Sequence, residues 1–468
     1  MESGEDRHTG LLPGSALVGG CPLGPYGGRP VNSASSNRTR NSSNNTGTPG
    51  TPGTPGTPGT DTLSNVSHMV ARGIQRITEA SLGRYQTAVV RIGFSATWLL
   101  FLLRELPHRR ELYGPHSPWD WGMAKQLIAG NHAFTVLMWS DSTVWFEVVY
   151  ALAVLSSVLL LLGWHTRFAS ALFMIGVLSL QNRSIFVGDG GDNVIHIMAI
   201  YLLVTRCSQV WSLDARRASR AAKAADTSSA AVSTPPQDRG GPVLWSVLGV
   251  ALVVITLLGK MSGGWEMIFW AMWLVQGLWW VVCRIAPGEP RTFLDVVANL
   301  AHNAGLVVIM AEVCLIYSTA GWYKIQGSRW EDGTALYYPL HLHYFSPWPE
   351  LSALLAGSGV LVMLLTYGTV IVQVAFPFTL FNRRVKNVLL IAMIMEHAGI
   401  ALLLGLPFFS MAMIAADAVF LPTGFLLWLG GRAAMLTART RVGVRKKPEG
   451  ERRTAEGEQG EQPRTLVG

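Results

Sequence analysis

Lys324 is one of only seven lysines in this chain of 468 residues, and its surroundings are aromatic. It follows Ala320, Gly321, Trp322 and Tyr323 and precedes Trp330 and Tyr337 within YSTAGWYKIQGSRWEDGTALYYPLHLHYFSPW, Tyr317 to Trp348. Removing an ammonium from water disfavours its charged form. A lysine held that way can take a proton from a substrate hydroxyl as a general base. Trp322, Tyr323, Trp330 and Tyr337 are then the rings placed to bind what it acts on. The plainer reading is a lysine at the end of a membrane helix whose stem snorkels toward the headgroups.

A second set of chemistry-bearing residues interrupts apolar runs. Arg91, Glu147, His196, Glu312, the Glu396–His397 pair and Asp417 each lie inside one. Ionisable groups in a bilayer are costly and turn toward a bundle interior or a cavity, where they find partners. Arg91 is expected to serve as counter-ion to one of the carboxylates. For any single one, an interhelical structural contact is the ordinary explanation. Together they predict a polar interior cavity, with Arg91, Glu312, Glu396 and Asp417 as its intramembrane network.

Between two apolar runs, SLQNRSIFVGDGGDNVIHIM (Ser179 to Met198) places Asp189 and Asp192 on a glycine-rich turn. Asp192 or Asn193 can cap the following helix, which leaves Asp189 directed toward an outer pocket. Two carboxylates without a further ligand at metal spacing predict no metal site. Four cysteines far apart, none in CxxC spacing, predict no zinc site.

These residues need a frame, and composition supplies it. Hydrophobic residues make up 49% and charged residues 14% of the chain, against about 25% charged in a typical soluble protein. The apolar excess falls in separated runs of roughly 18–22 residues, enough to cross a hydrocarbon core. Each must be helical, because every backbone group has to be satisfied within its own segment. The fold class expected is therefore all-α, a polytopic transmembrane helical bundle. Ten spans are drawn, at 86–105, 143–163, 168–187, 192–207, 243–260, 265–283, 295–319, 350–381, 387–406 and 408–429.

Polar segments flank and divide the bundle. Residues 1–81 are rich in Gly, Pro, Ser, Asn and Thr and are expected to be disordered. A flexible linker at 212–241 separates a first part, 82–211 with about four spans, from a second, 242–430 with about six. A basic, largely disordered tail follows at 431–468. Lys and Arg gather before the first span and after every second crossing, which predicts a multi-pass cell-membrane protein with both termini cytoplasmic. The loops around Asp189, Lys260 and Lys324 then lie outside. Trp119, Trp121 and Trp139 in the first outer loop suit the headgroup region. This placement accounts for the net charge of +8, so the lipid bilayer is the expected partner and nucleic acid is not. No signal peptide is read in the first 80 residues.

AGWYK at Ala320–Lys324, Trp330, and GTALYY at Gly333–Tyr338 resemble the horizontally transferred transmembrane (HTTM) family, which is related to the membrane part of vitamin K-dependent gamma-carboxylase. GWHTR at Gly163–Arg167, FVGDGGDN at Phe186–Asn193, FSPW at Phe345–Trp348 and the run from Glu396 to Pro422 fit that family in order and spacing, over roughly Tyr85 to Leu429. The resemblance implies that Lys324 matches the base that deprotonates reduced vitamin K in the carboxylase. It implies that His397 matches that enzyme's histidine, and that a reduced quinone such as vitamin K hydroquinone is the cofactor. The chain departs from the carboxylase at Gly188–Asn193, where that enzyme has a histidine and this chain has Asp189, Asp192 and Asn193. Trp330 also stands one residue further from the lysine. Fewer than 40 residues follow Leu429, so the soluble domain that grips the carboxylase's protein substrate is not expected, nor is gamma-carboxylation of peptides.

The leading expectation is an HTTM-type membrane protein with carboxylase-like quinol oxidation, Lys324 acting as base on a quinone or lipid-like ligand. A second is a non-catalytic accessory protein for maturation or export of a protein partner. A third is a small-molecule or ion transporter that uses Glu396, His397 and Asp417. Against the third, the two halves lack matching helices broken by Gly or Pro.

Overall fold

The computed structural model describes residues 58–227, 240–286 and 288–445, and every regular element among them is helical. The chain divides into two compact units, Met1–Phe420 and Leu421–Gly468. The first opens with α1 (Pro58–Glu79), α2 (Arg84–Glu105), α3 (Arg109–Tyr113), α4 (Trp121–Asn131), α5 (Thr143–Leu162), α6 (Thr166–Arg183) and α7 (Gly190–Val204). It continues with α8 (Leu213–Thr227), α9 (Gly240–Leu257), α10 (Gly263–Ile285), α11 (Glu289–Ile325), α12 (Ser328–Glu331) and α13 (Tyr337–His341). It ends with α14 (Pro349–Ala356), α15 (Gly359–Ala375), α16 (Arg383–Leu403) and α17 (Pro407–Asp417). The second unit contains α18 (Thr423–Arg445).

Among the described residues, seven segments are long and apolar enough to cross a bilayer: α2, α5, α9, α10, α11, α15 with its extension to Thr379, and α16. An eighth follows if Pro407–Phe420 and Thr423–Leu436 count as one broken span. The expected third and fourth spans fall on α6 and α7, which are less apolar or shorter than a free-standing crossing requires. α7 has 15 residues, about 22 Å at 1.5 Å per residue. Both helices are packed inside the bundle, and a helix hidden from lipid can carry Ser170, Ser179 and Asp192 in contact with protein. The core lies around α2, whose apolar window is 61% buried, whereas only 6% of the α10 window is. Helices α9 and α10 form a hairpin held by Trp245 and Trp273. Their rings stack 4.1 Å apart and each indole N–H donates to the other's carbonyl at 3.0 Å.

The polar segments hold more helix than their composition predicts. The expectation of disorder through residue 81 fails at α1, where Val66, Met69, Val70, Ile74 and Ile77 recur at helical spacing. Its last carbonyls are capped from α11: Asn299 Nδ2 donates to Thr78 O at 2.9 Å, and Asn303 Nδ2 to Ile77 O and Ala80 O at 2.8 and 3.0 Å. The linker expected at 212–241 is helical as α8 over its first half, and the tail expected from 431 continues α18 to Arg445. The rest of those three expectations, at 1–57, 228–239 and 446–468, falls outside the described residues.

One joint shows how sequence fixes the frame. Gly163 (φ 65°) ends α5: its N–H reaches Leu160 O at 3.1 Å, and the Trp164 N–H reaches Leu159 O at 3.0 Å. This paired closure requires a left-handed residue. A Cβ there would meet Ser212 Cβ at 2.4 Å. Asp214 then caps α6, accepting from the His165 and Thr166 amides at 3.0 and 2.8 Å. GWHTR is thus a helix-to-helix corner.

Candidate functional site

Lys324 ends the long helix α11, and Tyr317 stands seven residues before it, two turns back on the same face. Gly321 lies between them. A Cβ at Gly321 would meet Val374 Cγ2 at 2.5 Å, so α11 and α15 approach closely because no side chain intervenes. That approach brings Lys324 Nζ to 2.5 Å from Gln373 Oε1, to which it donates. Gln373 is buried and passes the link on, its Nε2 donating to Glu396 Oε1 of α16 at 2.5 Å. On its other side, Nζ lies 5.3 Å from the centre of the Trp330 ring. Lys324 is half-buried, so it is reachable and yet partnered.

A second line of hydrogen bonds starts one residue along α16. The Tyr317 hydroxyl donates to Asp417 Oδ1 of α17 at 2.9 Å and lies 3.0 Å from His397 Nε2. All three side chains are buried among Phe376, Phe409 and Phe420. His397 Nδ1 and Asp417 Oδ2 are enclosed without a hydrogen-bond partner. Glu396 therefore belongs to one short hydrogen-bonded chain, through Gln373, and His397 and Asp417 to another, through Tyr317.

Other expected members lie elsewhere. Arg91 is no counter-ion to a midplane carboxylate: its guanidinium donates to the carbonyls of Leu160, Leu161, Cys207 and Trp211 and ties the ends of α5 and α7. A planar group with five donors satisfies several carbonyls at once, and the bends after α5 and α7 present them together. Glu312 is half-buried on α11, and neither hydrogen-bonded chain contains it. Glu147 pairs with Arg109 and Arg110 at 2.8 and 2.6 Å, and His196 Nδ1 lies 2.8 Å from Gln181 Oε1.

The Gly188–Asn193 turn is a reciprocal cap rather than an open pair of carboxylates. Asp189 Oδ1 accepts from the Gly191 and Asp192 amides at 2.7 and 3.3 Å, while Asp192 Oδ2 accepts from the Asp189 amide at 2.8 Å. The expectation that Asp189 faces an outer pocket gives way to this capping box, because the first amides of α7 need acceptors. Of the four expected aromatic contacts, only Trp330 accompanies Lys324. Trp322 and Tyr323 are exposed, and the Tyr337 ring packs against His341, tilted, with centroids 4.1 Å apart. The GTALYY turn is held by Asp332 Oδ1, which accepts from Thr334 N at 3.0 Å and Thr334 Oγ1 at 2.5 Å. Those bonds, ahead of Arg329, keep the Asp332 carboxyl below the usual carboxylate range. Among the described residues no three His, Cys, Asp or Glu side chains form a metal-binding group.

Gln373 and Tyr317 are the two residues that sequence reasoning missed. Gln373 is the only amide in α15, and an amide in an apolar helix needs a partner. Tyr317 carries a hydroxyl on the Lys324 face of α11. Both signals were present and modest. No protein-family model, curated protein or solved structure matches the chain.

Proposed function

We propose that this chain is an HTTM-type integral membrane protein in which Lys324 acts as base on a lipid-soluble quinol. The observation that carries this reading is the Trp330–Lys324–Gln373–Glu396 line. A neutral Lys324 amine keeps its lone pair while one N–H donates to Gln373. On taking the hydroxyl proton it becomes an ammonium, which Glu396 stabilises through the amide, and the quinolate left behind is the form that dioxygen oxidises. Trp330 offers a ring face beside Nζ, where a quinol ring and a cation are both accommodated. Roles in partner maturation or in transport leave this line without a task.

The same reading takes the bundle as ten spans: the seven apolar segments, α6 and α7 in its interior, and the pair Pro407–Phe420 with Thr423–Leu436. The distribution of Lys and Arg supports placing both ends on the cytoplasmic side and Lys324 at the opposite face.

The test is oxygen uptake by purified protein in lipid discs supplied with a reduced naphthoquinone, wild type against Lys324→Ala. Uptake above the protein-free rate that disappears in the variant is the expected result. Equal background rates in both would overturn the quinol reading and favour an accessory role.

A further inference from the structure

We infer that Asp417, Tyr317 and His397 form a proton-storing site inside the bundle, loaded through His397 Nδ1. The inference stands apart from the Lys324 reading, since neither hydrogen bond of this trio involves Lys324.

The starting state is the one in which Asp417 is ionised and accepts from Tyr317. Tyr317 has one proton to donate and gives it to Asp417 Oδ1. His397 Nε2, at 3.0 Å from the same oxygen, must then be the donor toward Tyr317. That tautomer leaves Nδ1 as a bare lone pair, and Nδ1 is the buried ring nitrogen with no partner. The starting trio therefore carries one negative charge, on a carboxylate that is 0% exposed. An uncompensated charge in such surroundings is costly.

One proton removes that cost. It bonds to the Nδ1 lone pair; the Nε2–H bond breaks as its proton passes to the Tyr317 oxygen; the former Tyr317 proton passes to Asp417 Oδ1. The product is a neutral imidazole protonated at Nδ1, a neutral phenol now donating to Nε2, and a neutral carboxylic acid donating to the phenol. Atoms and charge balance, no heavy atom moves, and the two hydrogen bonds reverse direction. Three helices hold the geometry, α11, α16 and α17, with Phe376 packed on Tyr317 and Phe409 on His397. The ionisable groups whose fields reach the trio are Lys324, acting on His397, and Glu396, acting on Tyr317 and Asp417.

The experiment is an acidification series on the full chain in lipid discs. Infrared difference spectra with isotopically labelled aspartate are read beside nitrogen NMR of labelled histidine. The expected result is a carboxylic-acid carbonyl band that grows as His397 moves its proton from Nε2 to Nδ1, with one shared midpoint. Asp417→Asn removes the band, and Tyr317→Phe separates the two transitions. A band that is present and constant at every pH, no band at any pH, or one that titrates while His397 keeps its tautomer would overturn the proposal and make the trio a fixed strut. The wild-type spectra alone decide between these outcomes, so a variant that fails to fold does not leave the question open.

Discussion

At the start of α7, Asp189 and Asp192 direct their carboxylates to backbone amides no more than three residues away. Glu396 and Asp417 instead meet Gln373 and Tyr317, which are 23 and 100 positions distant in the chain. Acidic side chains in both regions looked alike as candidates for a site. The difference comes from position within the helix. At a helix start four amides lack intrahelical partners, and a nearby carboxylate is captured by them. In a helix interior, as at Glu396, or at a helix's last residue, as at Asp417, the nearby amides are already satisfied, so an ionisable side chain must reach another helix. A cap is complete in itself. A cross-helix link leaves lone pairs and donors over, as at His397 Nδ1 and Asp417 Oδ2, and those can do chemistry.

Substitutions can break this contrast, beginning with a cross-helix link that meets four carbonyls. Arg91→Ala removes donors to four carbonyls on two helix ends, each charge-assisted bond contributing roughly 1.5–3 kcal/mol. A loss of at least about 3 kcal/mol is expected, read as a lower unfolding temperature in lipid discs. An unchanged melting profile would show that this link carries no load. Gln373→Leu keeps Lys324 and Glu396 and cuts only what joins them. Oxygen uptake with the reduced naphthoquinone is expected to fall about tenfold, equivalent to about 1.4 kcal/mol in the barrier; a wild-type rate would mean the two charges act independently.

The local cap is worth less. Asp189→Ala is expected to lower stability by about 1 kcal/mol and Asp189→Asn by a fraction of that, by the same melting measurement. Loss of uptake at unchanged stability would move Asp189 into the site and erase the contrast. A comparably small effect belongs to Trp330→Leu. Its ring lies 5.3 Å from Lys324 Nζ, a contact contributing about 0.5–1 kcal/mol at an accessible site once the amine is protonated. A rise in half-saturating quinol of two- to fivefold is the corresponding expectation.

The apolar runs were legible because burial in lipid demands them. α2, α5, α9, α10 and α16 all lie where hydropathy places spans. α1 and α8 were not legible, since an amphipathic or charged helix resembles an unstructured polar segment in composition. α6 and α7 were legible as spans only in outline, because protein neighbours relax the requirement for a continuous apolar surface. At the site, Lys324, Glu396, His397 and Asp417 stood out as ionisable residues beside or within apolar sequence. Their partners did not, because Gln373 and Tyr317 are unremarkable in their own helices and matter only through what faces them.

By itself, the sequence determined that this chain packs as apolar helices, where most of them run, and which few ionisable residues had to find shelter. Those are consequences of local composition, which fixes solvent preference residue by residue. Tertiary structure decided the pairings: that Arg91 holds carbonyls, that Asp189 and Asp192 cap a helix, and that Tyr317 stands between Asp417 and His397. Hydrogen bonds act over about 3 Å, and only the packing of helices distant in sequence brings such groups within that reach.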